Sequence, residues 1–169
     1  AGTLHPIPLI NEVKKVFDKK IVLSGSLATG NDIASALQMG ADMAYMGTRF
    51  INVDESMADE AYKKMIIESG AEDIIYTAAV SGVKASFLRP SLEAMGITEE
   101  RWKETKKINF GTESDALSEE AKAWKTIWSA GQGVTNINDT LSISTLIGKL
   151  RSEFLDAIQR QQELLNRYQ

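Results

Sequence analysis

Two glycine turns, one βα unit apart, are the part of this sequence best suited to chemistry: Ser24-Gly25-Ser26-Leu27-Ala28-Thr29-Gly30 and Met46-Gly47-Thr48-Arg49-Phe50. Each follows a short apolar run. A phosphate dianion is held by several converging backbone N–H donors, and only a residue with little or no side chain lets the backbone come close enough. Gly25 and Gly47 meet that need, and the Thr48 hydroxyl can add a donor. A glycine after a strand also serves turns with φ > 0 for purely structural reasons, so either turn alone is weak evidence. The pair at this separation carries more.

The other reactive side chains are few. There are 0 cysteines, which removes disulfides, thiolate nucleophiles and Cys-based zinc or iron–sulfur sites. The single histidine, His5, precedes Pro6 at a helix entrance, where a capping or surface role is favoured over a general base. Carboxylates are plentiful, yet none joins a histidine or further acids at metal-ligand spacing. A catalytic metal is therefore not expected, and hard chemistry falls to an organic cofactor. Arg49 can reach an anion but is read as one half of a structural ion pair. Trp124 and Trp128 stand at i and i+4 of an expected helix and are read as packing residues. The mixed-sign run from Glu99 to Lys107 reads as a solvated face.

The elements that must position the turns follow from the apolar spacing. Ile7, Leu9, Ile10, Val13 and Phe17 predict an amphipathic helix opened by Pro6. Ile21 to Leu23 predicts a buried strand, Asn31 or Asp32 caps a helix that Gly40 ends, and Met43 to Gly47 predicts a second strand. Helix, strand, helix, strand with a glycine turn after each strand is the unit of an α/β protein with parallel strands, which are expected to be covered on both faces. Beyond Asn52 the pattern predicts a helix from about Glu55 to Ser69, a β-like run Asp73 to Thr77, a Gly82 turn, and a second run Val83 to Leu88. Pro90 opens a short helix to Met95. The polar stretch from Ile97 to Glu119 is expected to be a mobile loop, with a helix from about Glu119 to Trp128 after it. A long final helix runs from Ile143 to Arg167. In (β/α)8 barrels a phosphate cradle is built from the loops after strands seven and eight, often with a short extra helix. The expected fold is accordingly α/β, a partial (β/α)8 TIM barrel covering about strands 7–8: residues 1–52 as barrel units with the phosphate site, 53–130 as a helical and β-hairpin excursion, and 131–169 as a return loop and C-terminal barrel helix.

Bulk properties narrow the function classes. With 169 residues, 43% hydrophobic and 25% charged, the chain suits about one globular domain. Its 19 Lys plus Arg against 23 Asp plus Glu give a net charge of -4 and no basic surface for a nucleic acid backbone. No run approaches the roughly 20 apolar residues that span a bilayer, and AGTLHPIP has no secretory pattern. A cytoplasmic location is the default expectation. Ala1 in place of Met reads as a cut or processed end, or as the first residue of a partial chain.

Three segments in order, AGTLHPIPLINEVKK, IVLSGSLATGNDIASALQMGADMAYMGTRF and WSAGQGV, resemble the nitronate monooxygenase family. The GAD and MGTRF portion is shared in looser form by other FMN and ribosyl-phosphate barrels. The AGTL start and the late AGQG narrow it. The resemblance implies FMN, with the amides of Gly25, Ser26, Gly47 and Thr48 around its phosphate, Tyr45 and Met46 lining the same turn, and Gln132 near the flavin. Ser26 stands where many relatives have a second glycine. The family's catalytic histidine lies in a Gly-Gly-His turn before the segment matching Ala1 to Leu4, so it is expected upstream of this chain; His5 is not that residue.

The activity so implied is flavin-dependent oxidation of alkyl nitronates with dioxygen to a carbonyl compound and nitrite. FMN-dependent enoyl-acyl-carrier-protein reductase and NADH:quinone reductase are the alternatives within the superfamily. A non-catalytic α/β fragment or interaction module is the alternative from another class. Two barrel-type strands leave unpaired edges, so the chain is expected to aggregate, to pair with itself, or to need the N-terminal half of the barrel.

Overall fold

The computed structural model describes residues 2–80, 82–102 and 126–169, and α1 (Pro6–Val16) opens it. His5 caps this helix, its Nδ1 accepting from the Ile7 N–H at 3.4 Å, and Pro6 supplies a first-turn residue that has no N–H to satisfy. Ile10 is buried against Leu23, Ala36 and Ala41, which sets α1 beside the strands.

β1 (Val22–Ser24) and β2 (Met43–Tyr45) pair in parallel, with Val22 opposite Met43 and Ser24 opposite Tyr45. Between them runs α2 (Gly30–Gln38). Its cap is Thr29 rather than the expected Asn31 or Asp32: the Thr29 hydroxyl accepts from the Asp32 N–H at 3.2 Å, and the Asp32 carboxylate accepts from the N–H groups of Ala28 and Thr29 at 2.9 and 2.8 Å. This reciprocal arrangement places Asp32 inside the first turn, where its charge also suits the helix dipole. Gly40, at φ +100, ends the segment.

The strands are not covered on both faces as expected. Leu23 and Ala44 face the helices, whereas Val22 and Met43 are each 53% exposed and Tyr45 is 62% exposed on the opposite side. Two strands with their own helices supply cover chiefly for one face.

α3 (Thr48–Ile51) follows β2, and α4 (Glu60–Glu68) begins later than the expected Glu55. Asp59 caps α4 by accepting from the Ala61 N–H at 2.7 Å. Glu55 is instead engaged elsewhere, its carboxylate accepting from the Ile143 N–H at 2.9 and 3.0 Å at the start of the final helix. β3 (Ile74–Thr77) and β4 (Ala85–Leu88) then form an antiparallel hairpin, followed by α5 (Arg89–Ala94). Part of the stretch expected to be loop is helical, as α6 (Glu99–Trp102). Residues 103–125, with Trp124 and most of the loop and helix expected there, lie outside the described residues. That helix does not reach Trp128, which follows a bend at Ile127.

The last element, α7 (Ile143–Arg167), is capped by Ser142, which accepts from the Thr145 N–H. It packs along α2 at backbone distance: a Cβ on Gly30 would stand 2.2 Å from the Leu150 carbonyl oxygen and 2.4 Å from the Phe154 nitrogen. The Gly30 N–H donates to the Glu153 carboxylate at 2.8 Å across the same contact. No described helix is long and apolar enough to cross a membrane.

Candidate functional site

The register of β1 and β2 brings the two glycine turns out at the same end of the sheet, side by side. Gly25 has φ +101 and Ser26 φ +60, Ser26 being the non-glycine residue of positive φ among those described. Holding a side-chain-bearing residue in this left-handed region costs about 1–2 kcal/mol. It turns the chain so that Ser24, Gly25 and Ser26 are all exposed. Gly47 has an unremarkable φ of -99, and a Cβ there would meet nothing within 4 Å. No atom of the described residues therefore requires glycine at 47. Among the described residues the backbone N–H groups of Ser26 and Gly47 have no hydrogen-bond acceptor, so both are free to donate outward.

A third segment joins the two turns. The Gly131 N–H donates to the Thr48 hydroxyl oxygen at 3.0 Å, which leaves the hydroxyl's own proton free for another acceptor. Gly133 lies so close to the first turn that a Cβ would stand 3.1 Å from the Ser26 carbonyl carbon and 3.3 Å from the Leu27 nitrogen. Between these glycines, Gln132 is exposed at the start of a 3-10 turn, Gln132–Asn136.

This segment is held by residues of α4, β4 and α5. Trp128 stacks on Tyr62 of α4 with ring centroids 5.1 Å apart and planes at 13°. The Trp128 backbone N–H donates to Ser91 Oγ at 2.6 Å, and the Trp128 carbonyl accepts from the Leu88 N–H at 2.9 Å. The Tyr62 hydroxyl donates to the Ser129 carbonyl, and burial moves the phenol's pKa up, partly offset by the bond to Ser129. Ala130, Val134 and Ile137 then pack in one core with Ala28 of the first turn, Ile66 of α4 and Leu88 of β4. The 128–137 stretch is thus gripped on both sides.

The seven residues named from sequence divide by what their side chains do. Gly25, Ser26, Gly47, Thr48 and Gln132 belong to the three converging segments. Tyr45 is exposed at the end of β2. Met46 packs against Val53, Leu146 and Leu150, so only its backbone faces the turn. Arg49 is buried to 2% exposure and directed away into an ion pair with Asp139 at 2.7 Å, which also receives Lys149 at 3.0 Å. Burial pushes the Asp139 carboxyl up, but the bonds and charges of Lys149 and Arg49 outweigh it and hold it below the usual carboxylate range. His5 is engaged in capping α1. Gly131, Gly133 and Tyr62 were not singled out in the sequence. The two glycines flanking Gln132 were the visible signal; Tyr62 had none, because its partner lies far along the chain.

With this geometry in place, comparison with known proteins becomes specific. The family model described as nitronate monooxygenase matches residues 2–153. A nitronate monooxygenase of Paraburkholderia phytofirmans is 34% identical over 76 residues, 45% of this chain and 21% of that protein. A probable nitronate monooxygenase of Staphylococcus saprophyticus is 32% identical over 84 residues, 50% of this chain and 23% of that protein. Among solved structures, FabK from Thermotoga maritima superposes with TM-score 0.73 at 21% identity over 96% of this chain and 53% of that one. A nitroalkane oxidase from Streptomyces ansochromogenes gives TM-score 0.67 at 25% identity over 92% of this chain and 45% of that one. The chain matches 21% to 23% of the length of these curated relatives and about half of the solved chains. Because the family model extends over nearly the whole chain, from the helix before β1 to the middle of α7, the chain belongs to the nitronate monooxygenase family.

Proposed function

We propose that this chain is the C-terminal part of an FMN-dependent oxidoreductase that oxidises alkyl nitronates with dioxygen to a carbonyl compound and nitrite, and that its three converging loops hold the phosphate of FMN. The observation that carries the reading is the junction itself. The free N–H groups of Ser26 and Gly47 and the Thr48 hydroxyl stand together at one end of a parallel strand pair, tied by the Gly131 bond to Thr48. Gly47 supports the fit. The fold leaves open the space its side chain would take, as an approaching ligand requires. Arg49 is committed to Asp139, so within the two turns the anion would be held by backbone and hydroxyl dipoles.

FMN, when bound, supplies the electron transfer. This chain's residues bind and orient it: Gly25, Ser26, Gly47 and Thr48 at the phosphate, with Tyr45 and Gln132 exposed beside them. The bare face of Val22, Met43 and Tyr45 is what the interior of a (β/α)8 barrel would cover, and the upstream strands of such a barrel, with the family's histidine, are the partner this reading requires. The excursion, residues 53–130 in this reading, serves to carry the third loop. An enoyl reductase activity has only fold likeness behind it.

The test is Gly47→Asp in the intact protein, which sets a carboxylate against the phosphate. Purified variant should carry no flavin absorbance, with the ligand-free fold preserved because the site tolerates a side chain. Wild-type flavin content in the variant would show that the site is elsewhere.

A further inference from the structure

The geometry points to Gly131 as a third wall of the cradle, a binding residue whose lack of a side chain is required by the ligand rather than by the fold; this rests on the phosphate reading above. Gly131 has φ -95, a conformation open to any residue. A Cβ built on it would lie 3.8 Å from the Ser26 nitrogen and 3.8 Å from Thr48 Oγ1, with no closer neighbour. These are ordinary contacts, so alanine fits the protein. They are also contacts with the two donors that come from different loops. An oxygen accepting from both stands about 2.9 Å from each, and a methyl group over the same pair crowds it. Gly133 is the opposite case: a Cβ there meets the Ser26 carbonyl carbon at 3.1 Å and the Leu27 nitrogen at 3.3 Å, so the fold itself disfavours a side chain unless that backbone yields. Two glycines one residue apart in AGQG thus have different causes, one outside the protein and one within it. The bond from the Gly131 N–H to Thr48 Oγ1 ties the wall to the second turn and leaves the hydroxyl proton available to a ligand.

The experiment compares Gly131→Ala, Gly133→Ala and wild type in the intact protein, measuring flavin-free melting temperature and the affinities for FMN and for riboflavin, which lacks the phosphate. Gly131→Ala should keep the wild-type melting temperature and riboflavin affinity while FMN binds at least tenfold more weakly. Gly133→Ala should lower the melting temperature. Unchanged FMN affinity in Gly131→Ala overturns the inference, as does a loss of flavin-free stability matching that of Gly133→Ala. If wild type binds FMN no better than riboflavin, the phosphate reading itself fails, an outcome distinct from either of these.

Discussion

Arg49 and Asp139 show how one side chain's chemistry is decided by what surrounds it. An arginine two residues after the glycine proposed to bind phosphate invites assignment as an anion receptor, but its guanidinium reaches both the Asp139 carboxylate and the Asp139 backbone carbonyl, at 2.7 and 2.9 Å. The Asn52 side-chain amide donates to that same carbonyl at 3.0 Å. Asp139→Asn should cost about 1–3 kcal/mol in denaturant unfolding, less than a fully enclosed pair, because the carboxylate is about a third exposed. The acid dependence has a definite sign. Asp139 is held below the usual range, and so is Asp73, chiefly by the Gly70 N–H and then by Arg89. A depressed folded-state pKa contributes stability that is fully present above the unfolded value, about 3.9, and is lost as pH falls through the folded value. Melting temperature should hold from pH 7 to about 5 and then drop. Asp139→Asn should flatten part of that drop, and an identical acid limb in the variant would remove Asp139 from the account.

Elements were legible where their signals were local. The apolar spacing of α1, the two strand-turn units and the run from Ile143 to Arg167 was read from neighbouring residues, and each appears near its expected bounds. Errors arose where a distant partner intervened. Glu55 reads as helical until Ile143 supplies its N–H, and Trp128 reads as a helix-face residue until Tyr62 stacks on it. The two glycine turns were visible for the same reason α1 was. Their junction with Gly131 and Gly133 was not, since no spacing rule links residues so far apart. Gly30 illustrates the hidden kind of constraint: it reads as part of a phosphate turn, yet it is where α2 touches the backbone of α7. Gly30→Ala should destabilise the protein by on the order of 1–3 kcal/mol through overpacking. Thermal unfolding checks this, and a wild-type midpoint would mean that the helices separate without cost.

For the whole molecule, the uncovered side of β1 and β2 matters most. Val22 and Met43 join Leu4, Ile7, Val16 and Phe17 among the exposed large apolar residues, and β1 has no partner on its outer edge among the described residues. Produced alone, the 169-residue chain of 18.6 kDa should sediment as a concentration-dependent oligomer. Met43→Lys should shift it toward the monomer, and a monomeric, cooperatively melting wild-type chain would show that the surface needs no cover. The bond from Gly131 to Thr48 spans 83 residues. Closing so wide a loop carries an entropic penalty, so the grip is expected to form after the intervening chain has found its own shape. On the proposed reading, a change in that stretch that loosens the junction while sparing the buried cores of Ile66, Leu88 and Phe87 would surface as a protein that folds but lets its cofactor go.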